Sequence, residues 1–438
     1  MSDSFIFEHS CLAAKPELQL FDDLPTQAAV ENGYTTEYLP RSNLSDDGPI
    51  KFEVSGVGSD YIDLLNSYLL LELKITKADG SNLANDDVVG PINLIGQTLF
   101  KQIDVSLNDT LISDSSNLYH YRALFETLLS YTSDEGRKQL SMSLFSKDTP
   151  NKMENIAADN TGLVERRNHF TESKTVQVIG RPHSDIFYQH RYIVNGVTLK
   201  LKLIRNTDEL VLMAAADAAF KIKITNASFF VRKVSLNKGI KEKHIEKMDT
   251  QLQPALYPIR RVMMKSLTVP VGSLSLTEEN LFSGQMPKRI VIGIVDSSSF
   301  EGKYEKNPFN FKHFGLKYCC LYVNGKMLPQ KPLISDFTNG LTLRNYFTLL
   351  ESTGKSFQDS GLDITRTEYN QGYALLAFDL SPDLEDTGCY HLIKKGNIRL
   401  ELKFSAGLAA PVNVIVYSEF DSKISIDKNR AVLMDYFV

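Results

Sequence analysis

The chain has 438 residues, with 48 Lys plus Arg against 53 Asp plus Glu, so it carries a net charge of −5, and this excludes a nucleic-acid binder working through bulk positive charge. Hydrophobic residues make up 42% and charged residues 23%, with ordinary Gly and Pro, which excludes collagen-like and disordered chains. Four cysteines, Cys11, Cys319, Cys320 and Cys389, are too few for a disulfide scaffold, and the vicinal pair is poorly placed to bridge itself, so reduced thiols are expected.

The N-terminus MSDSFIFEHSCLAAKPE has neither the basic n-region nor the apolar stretch of a secretory signal, and no run approaches a membrane span. A protein made in the reducing cytoplasm is the expectation, with no membrane insertion. Residues 1–48 hold nine acidic residues against two basic ones and show no apolar period, so they read as an N-terminal acidic arm.

From about residue 50 the apolar period becomes two. YLLLELKIT (68–76), VTLKLKLIR (197–205) and AFKIKITNASFFVRKV (219–234) alternate apolar and polar side chains, as strands with one face on a core do. KRIVIGIV (288–295), YCCLYV (318–323), GYALLAFDL (372–380), NIRLELKF (397–404) and VNVIVYSEF (412–420) continue the behaviour. Helical signal is short. In residues 117–131, Leu118, Tyr121, Leu124, Phe125, Leu128 and Leu129 form one stripe that Asn117 would cap, and 340–353 is a second piece.

The halves follow one plan. Asn108-Asp109 and Asn324-Gly325 each sit between two apolar strands as hairpin turns, each followed by an Arg-x-x-Phe helical piece at Arg122 and Arg344. Gly196 and Gly396 each lead into an alternating strand, a loop and another strand. The fold class expected is all-β: two tandem eight-stranded antiparallel jelly rolls with short helical insertions. The divisions are arm 1–48, first jelly roll 49–236, linker 237–262 and second jelly roll 263–438. Sandwiches of immunoglobulin type are too small, and the chain lacks Trp and a spaced Cys pair.

Catalytic constellations are missing. Gly354-Lys355-Ser356 has Leu349 where a phosphate loop needs its first Gly, and neither GxSxG nor HExxH occurs. His169, His183 and His190 lack zinc spacing and read as solvated loop residues, and Asp383, Glu385 and Asp386 lack the pattern of a calcium loop. No catalytic residue, metal ligand or cofactor is expected. Sequons at Asn43, Asn108 and Asn226 would stay unmodified without secretion. Between Arg232 and Lys265 nine basic residues face three acidic ones, which reads as a solvated linker helix, with a non-specific polyanion contact as the other reading.

The segments PKRIVIGIVDSSSFEGKYEKNPFNFKHF (287–314), LYVNGKMLPQKPLISDFTNG (321–340), EYNQGYALLAFDLSPDL (368–384) and GNIRLELKFSAGLAAPVNVIVYSEFDSKISIDKNR (396–430) resemble the major capsid protein of Maverick/Polinton elements, also treated as adintoviruses. YIDLLNSYLLLELKIT (61–76) and VGPINLIGQTLFKQIDVSLNDTLI (89–112) extend the resemblance into the first half, while the arm and residues 130–183 lie outside it. The resemblance implies a structural protein, not an enzyme. Upright double jelly rolls would form homotrimers, which would tile as pseudo-hexameric capsomers of an icosahedral virion capsid around double-stranded DNA. Penton and minor capsid proteins would be its partners, with at most non-specific contact to packaged DNA. Phe309, Phe311 and Phe314 are candidates for a subunit or domain interface, the alternative being simple core filling. A tandem lectin-like carbohydrate-binding sandwich is the rival function, and the absence of Trp counts against it.

Overall fold

A computed structural model describes residues 15–21, 23–44, 48–358, 361–384 and 389–434; Cys11, Glu385 and Asp386 lie outside the described residues. The first half supplies β1 (Val30–Tyr38), β2 (Ile50–Val54), β3 (Tyr61–Lys77), β4 (Gly90–Pro91) and β5 (Phe100–Leu107). It continues with β6 (Thr110–Leu111), β7 (Val176–Gly180), β8 (Leu199–Arg205), β9 (Leu212–Met213) and β10 (Phe220–Leu236). The second half supplies β11 (Ala255–Val269), β12 (Ser275–Gln285), β13 (Arg289–Asp296), β14 (Leu316–Val323) and β15 (Lys326–Ile334). It ends with β16 (Leu375–Asp379), β17 (Lys395–Phe404), β18 (Val412–Ile426) and β19 (Val432–Met434).

The first half forms antiparallel sheets of order β1-β10-β3-β7 and β2-β8-β5-β6, with β4 and β9 paired separately. In the second half the orders are β11-β18-β13-β16 and β12-β17-β14-β15, with β19 added beside β18. When the eight sheet strands of each half are counted along the chain, both halves read 1-8-3-6 facing 2-7-4-5. That is the jelly-roll order, formed twice. The turns at Asn108-Asp109 and Asn324-Gly325 join the same two strands of the plan, β5 to β6 and β14 to β15. Asn108, Asp109, Asn324 and Gly325 all have positive φ, as tight hairpins require.

In the sheet β11-β18-β13-β16, β13, β16 and the first nine residues of β18 are covered on both faces, while β11 and the end of β18 keep exposed positions. Ile290, Ile292, Ile294, Val412, Val414 and Val416 pack into the second roll's own core with Leu400, Leu402 and Phe404. The alternate residues Val291, Val295, Ile415 and Tyr417 belong to the core that fills the first roll. IVIGIV is therefore an unbroken apolar run because both faces of its strand meet a core.

The strand bounds differ from the sequence reading at two places. Residues 30–38 of the arm are β1, whose edge position against β10 leaves no buried residue and hence no apolar period. The 237–262 linker is helical over Lys238–Ile245 and turns through Glu246–Thr250, but β11 starts at Ala255; Pro258 and the pair Arg260-Arg261 hide its alternation. Asn117 does not cap the following helix, Tyr119–Ser130: it has φ 60° and its N–H donates to Gln102 Oε1 at 2.9 Å. That helix is buried on nearly every side because insertions of one roll and strands of the other enclose it. Gly354, with φ 66°, closes the helix Leu343–Ser352, its N–H donating to Glu351 and that of Lys355 to Leu350, so the Gly-Lys-Ser stretch is a helix terminus.

Candidate functional site

The contact between the rolls is an extended side-chain constellation. The helix Tyr119–Ser130 leaves the first roll after β6 and lies against β18 of the second. Phe309 and Phe311 come from the loop after β13 and are fully buried against this helix. Phe311 stacks on Phe125 with centroids 5.1 Å apart, and Phe309 meets Tyr121 edge-on at 5.7 Å. Phe300 stacks on Tyr121 at 6.0 Å and Tyr417 meets Phe125 at 6.0 Å. Phe314 does not join them; it is half-buried at the edge of the second roll's core. His120 sits in the same aromatic nest, and burial pushes it down to about 3, so it is neutral.

Beside the aromatic wedge lies a polar network. Arg122 donates to Asp185 Oδ1 at 2.5 Å and to Glu126 Oε1 at 2.8 Å, all within a cavity of about 510 Å³ that Tyr417 and Glu419 also line. Asp185 also accepts from Val262 N–H at 3.3 Å, which ties the network to β11. Burial raises Asp185 to about 6 against the pull of Arg122. Burial also works to raise Glu126, but the charges of Arg122 and His183 outweigh it and hold the carboxyl down to about 2. His183 lies 2.6 Å from Glu126 Oε2 and is buried, so the expectation of a solvated loop histidine fails: the turn Asp185–Tyr188 folds it inward. His169 and His190 are exposed as expected. Each carboxylate here is matched to a guanidinium, Glu419 to Arg289 at 3.4 Å included. Such pairing neutralises charge at a joint and leaves no carboxylate as a free base.

A second brace comes from residues 131–175, the later part of the long insertion between β6 and β7. Asp148 and Arg166 form an ion pair at 2.7 Å with both side chains about 1% exposed. From the second roll, Asn307 Nδ2 donates to Asp148 Oδ2 at 3.1 Å and Tyr373 O–H donates to the Asp148 carbonyl at 2.9 Å. Lys147 pairs with Glu368 at 2.8 Å, and Glu154 accepts from Lys312 at 2.8 Å and Asn310 at 3.1 Å. Sequence reasoning missed all of these residues. Buried Asp, Asn and Arg in a turn-rich stretch look like loop polarity until their partners, some of them more than a hundred positions away, are known.

Cys319 and Cys320 are buried free thiols on β14, and Cys389 is exposed. Among the described residues no group of three or more His, Cys, Asp or Glu side chains could hold a metal ion, and no helix is long and apolar enough to cross a membrane. Asp383 instead bonds His391 Nε2 at 2.9 Å. Exposed apolar side chains gather where the second roll carries its insertions, at Ile334, Leu341 and Leu343, and again in the loop before β17 at Tyr390 and Leu392.

No family model matches the chain. It is 26% identical over 426 residues, 94% of this chain and 99% of the relative, to "Uncharacterized protein F54H12.2" of Caenorhabditis elegans. Among solved structures, a chain in the cryo-EM structure of the Sputnik virophage superposes with TM-score 0.65 at 12% identity, covering 100% of this chain and 95% of that one. PBCV-1 VP54, fitted into a reconstruction of that virophage, gives 0.61 at 10% identity over 95% of this chain and 99% of its own. The mavirus major capsid protein gives 0.55 at 12% identity over 99% and 97%. At such identities the likeness establishes the fold, a double jelly roll along nearly the whole chain.

Proposed function

We propose that this chain is a major capsid protein of the double jelly-roll kind, and that the Maverick/Polinton elements are its source. The observation that carries the reading is the repetition of one eight-strand order in two rolls locked side by side, a fold shared end to end with the mavirus major capsid protein. Two similar rolls per chain let three chains present six similar units, so a trimer fits a position of local six-fold symmetry in an icosahedral shell. The units of this proposal run from Val30 to Leu236 and from Ala255 to the C-terminus, with residues 237–254 between them. In this reading Phe309 and Phe311 are the internal wedge that fixes one roll on the other, and Phe314 is a core residue of the second. The role is structural rather than catalytic, the place is the shell of the particle, and penton and minor capsid proteins are the further partners.

The test is the mass of the purified protein by light scattering, followed by negative-stain microscopy. A particle of about three times the 49.3 kDa chain mass with a pseudo-hexagonal outline is expected. A monomer at every concentration overturns the reading.

A further inference from the structure

Strand β1 begins at Val30, which faces Leu236 across the ladder with β10. Leu236 is also one wall of a cavity of about 520 Å³ where the chain passes from the first roll to the second. Met248 and Leu256 add apolar surface there, Arg191, His244 and Lys247 add basic groups, and among the described residues no acidic side chain lines it. Tyr61 O–H lies 3.1 Å from His244 Nδ1 and holds that ring in the wall. Burial and the adjacent Lys247 charge push His244 below its ordinary value, as happens where cations face one another without a carboxylate between them.

The segment that leads into β1 has the opposite character. Leu18, Leu20, Phe21 and Leu24 are 69%, 74%, 97% and 90% exposed, with Glu17 and Asp23 among them. Four large apolar side chains in a row without cover mark a surface that needs a partner. Its exit is fixed: Val30 N–H donates to Gln27 Oε1 at 2.8 Å, Gln27 Nε2 donates back to the Val30 carbonyl at 3.1 Å, and Asn237 N–H donates to the Ala29 carbonyl at 2.9 Å. The described residues between 15 and 24 are all exposed, although the cavity lies beside the root of the segment. Extended, residues 16–29 reach roughly 45 Å, enough to cross to a neighbouring molecule.

We infer that the acidic, apolar segment 15–24 of one copy docks into the basic, half-apolar cavity at the roll junction of a second copy, leucines and Phe21 against Met248 and Leu256, carboxylates against Arg191 and Lys247. Complementary charge and complementary apolar surface both select this occupant. The inference deepens the self-assembly proposed above and rests on it only in requiring two copies.

The experiment is zero-length carbodiimide cross-linking of the full chain, read by mass spectrometry. Wild type is expected to join Glu17 or Asp23 to Lys247, and Leu20→Ser with Phe21→Ser is expected to cut that product at least about tenfold. Two variants are then co-expressed. One carries Lys247→Gln; the other carries Glu17→Gln, Asp22→Asn and Asp23→Asn. Neither alone can form the product, so its recovery from the mixture shows docking between copies. A product present in wild type but lost from the mixture assigns the cavity to the chain's own arm and overturns the inference, as does arm linkage to other lysines with none at Lys247. Light scattering on the same samples separates the two readings: a trimer without the cross-link overturns only the docked arm, and a monomer overturns the shell.

Discussion

Gly293 sits in the middle of β13, where a strand would ordinarily carry a β-branched residue, and Phe311 is the reason. A Cβ at position 293 would lie 2.6 Å from Phe311 Cδ1, 2.9 Å from Cε1 and 3.1 Å from Leu375 Cδ2. Carbon atoms settle at about 3.5–4.0 Å, so the ring would have to move by about an ångström, and it is fully buried against Phe125. Overpacking of this size costs about 1–3 kcal/mol, while removing a glycine from a strand returns about 0.5–1 kcal/mol, so Gly293→Ala is expected to lose roughly 1–2 kcal/mol. Phe311→Ala alone is expected to lose about 3–5 kcal/mol, since it removes the ring that fills the joint. On that background the clash with the ring is gone and only the 3.1 Å approach to Leu375 Cδ2 remains, so Gly293→Ala becomes close to neutral. The double-mutant cycle therefore carries a coupling of about 1–2 kcal/mol. Urea midpoints of the full chain, taken at one fixed protein concentration, measure all four corners. If Gly293→Ala costs the same in both backgrounds, Phe311 is not what holds that position to glycine and the wedge argument fails.

Three other outcomes follow from the joint. Arg166→Met leaves Asp148 as a buried carboxylate with only neutral donors, Asn160 at 3.0 Å and Asn307 at 3.1 Å, and is expected to lose about 3–5 kcal/mol in urea unfolding. Glu126 is held down to about 2 from an ordinary 4.5, so its stabilisation is present above pH 4.5 and is lost as pH falls toward 2. Glu126→Gln should therefore lose about 3 kcal/mol at pH 7, with the deficit shrinking through that window in urea midpoints. His120, depressed to about 3 from 6.5 with neither ring nitrogen hydrogen-bonded, destabilises the fold as pH falls below 6.5 because the unfolded chain takes up the proton. His120→Leu should flatten that acid loss by about 2 kcal/mol between pH 7 and pH 5, read as thermal midpoints at the two pH values.

What was legible in the sequence is what local pattern encodes. The hairpin turns at Asn108 and Asn324, the helical pieces after them and the glycine-led strands β8 and β17 fall in matching places of the two rolls, because positive-φ turns and period-two alternation are properties of a few consecutive residues. Edges and junctions were less legible. β1 exposes most of its residues, and β11 carries Pro258 and two arginines near its start, so neither sequence shows the alternation of a half-buried strand. The buried network was not legible at all. Asp148, Arg166, Asn160 and Asn307 gain meaning only from one another, and Asn307 lies on the far side of the junction.

The apolar run of β13 carries more information than its strand assignment. A sheet covered on one side alternates, and its water-facing positions take polar residues; β13 and the first nine residues of β18 do not alternate in burial because both faces of the sheet are covered there. Val291, Val295, Ile415 and Tyr417 are fully committed to the core shared with the first roll, and the insertion between β6 and β7 ties to the second roll through Asp148 and Glu154. Removing the first roll would strip β13, β16 and the first part of β18 of the cover on one face. The two rolls therefore form one mechanical body despite their matching topologies. That rigidity is what the proposed shell needs, since six similar units can hold a fixed lattice position only if the angle within each pair does not vary.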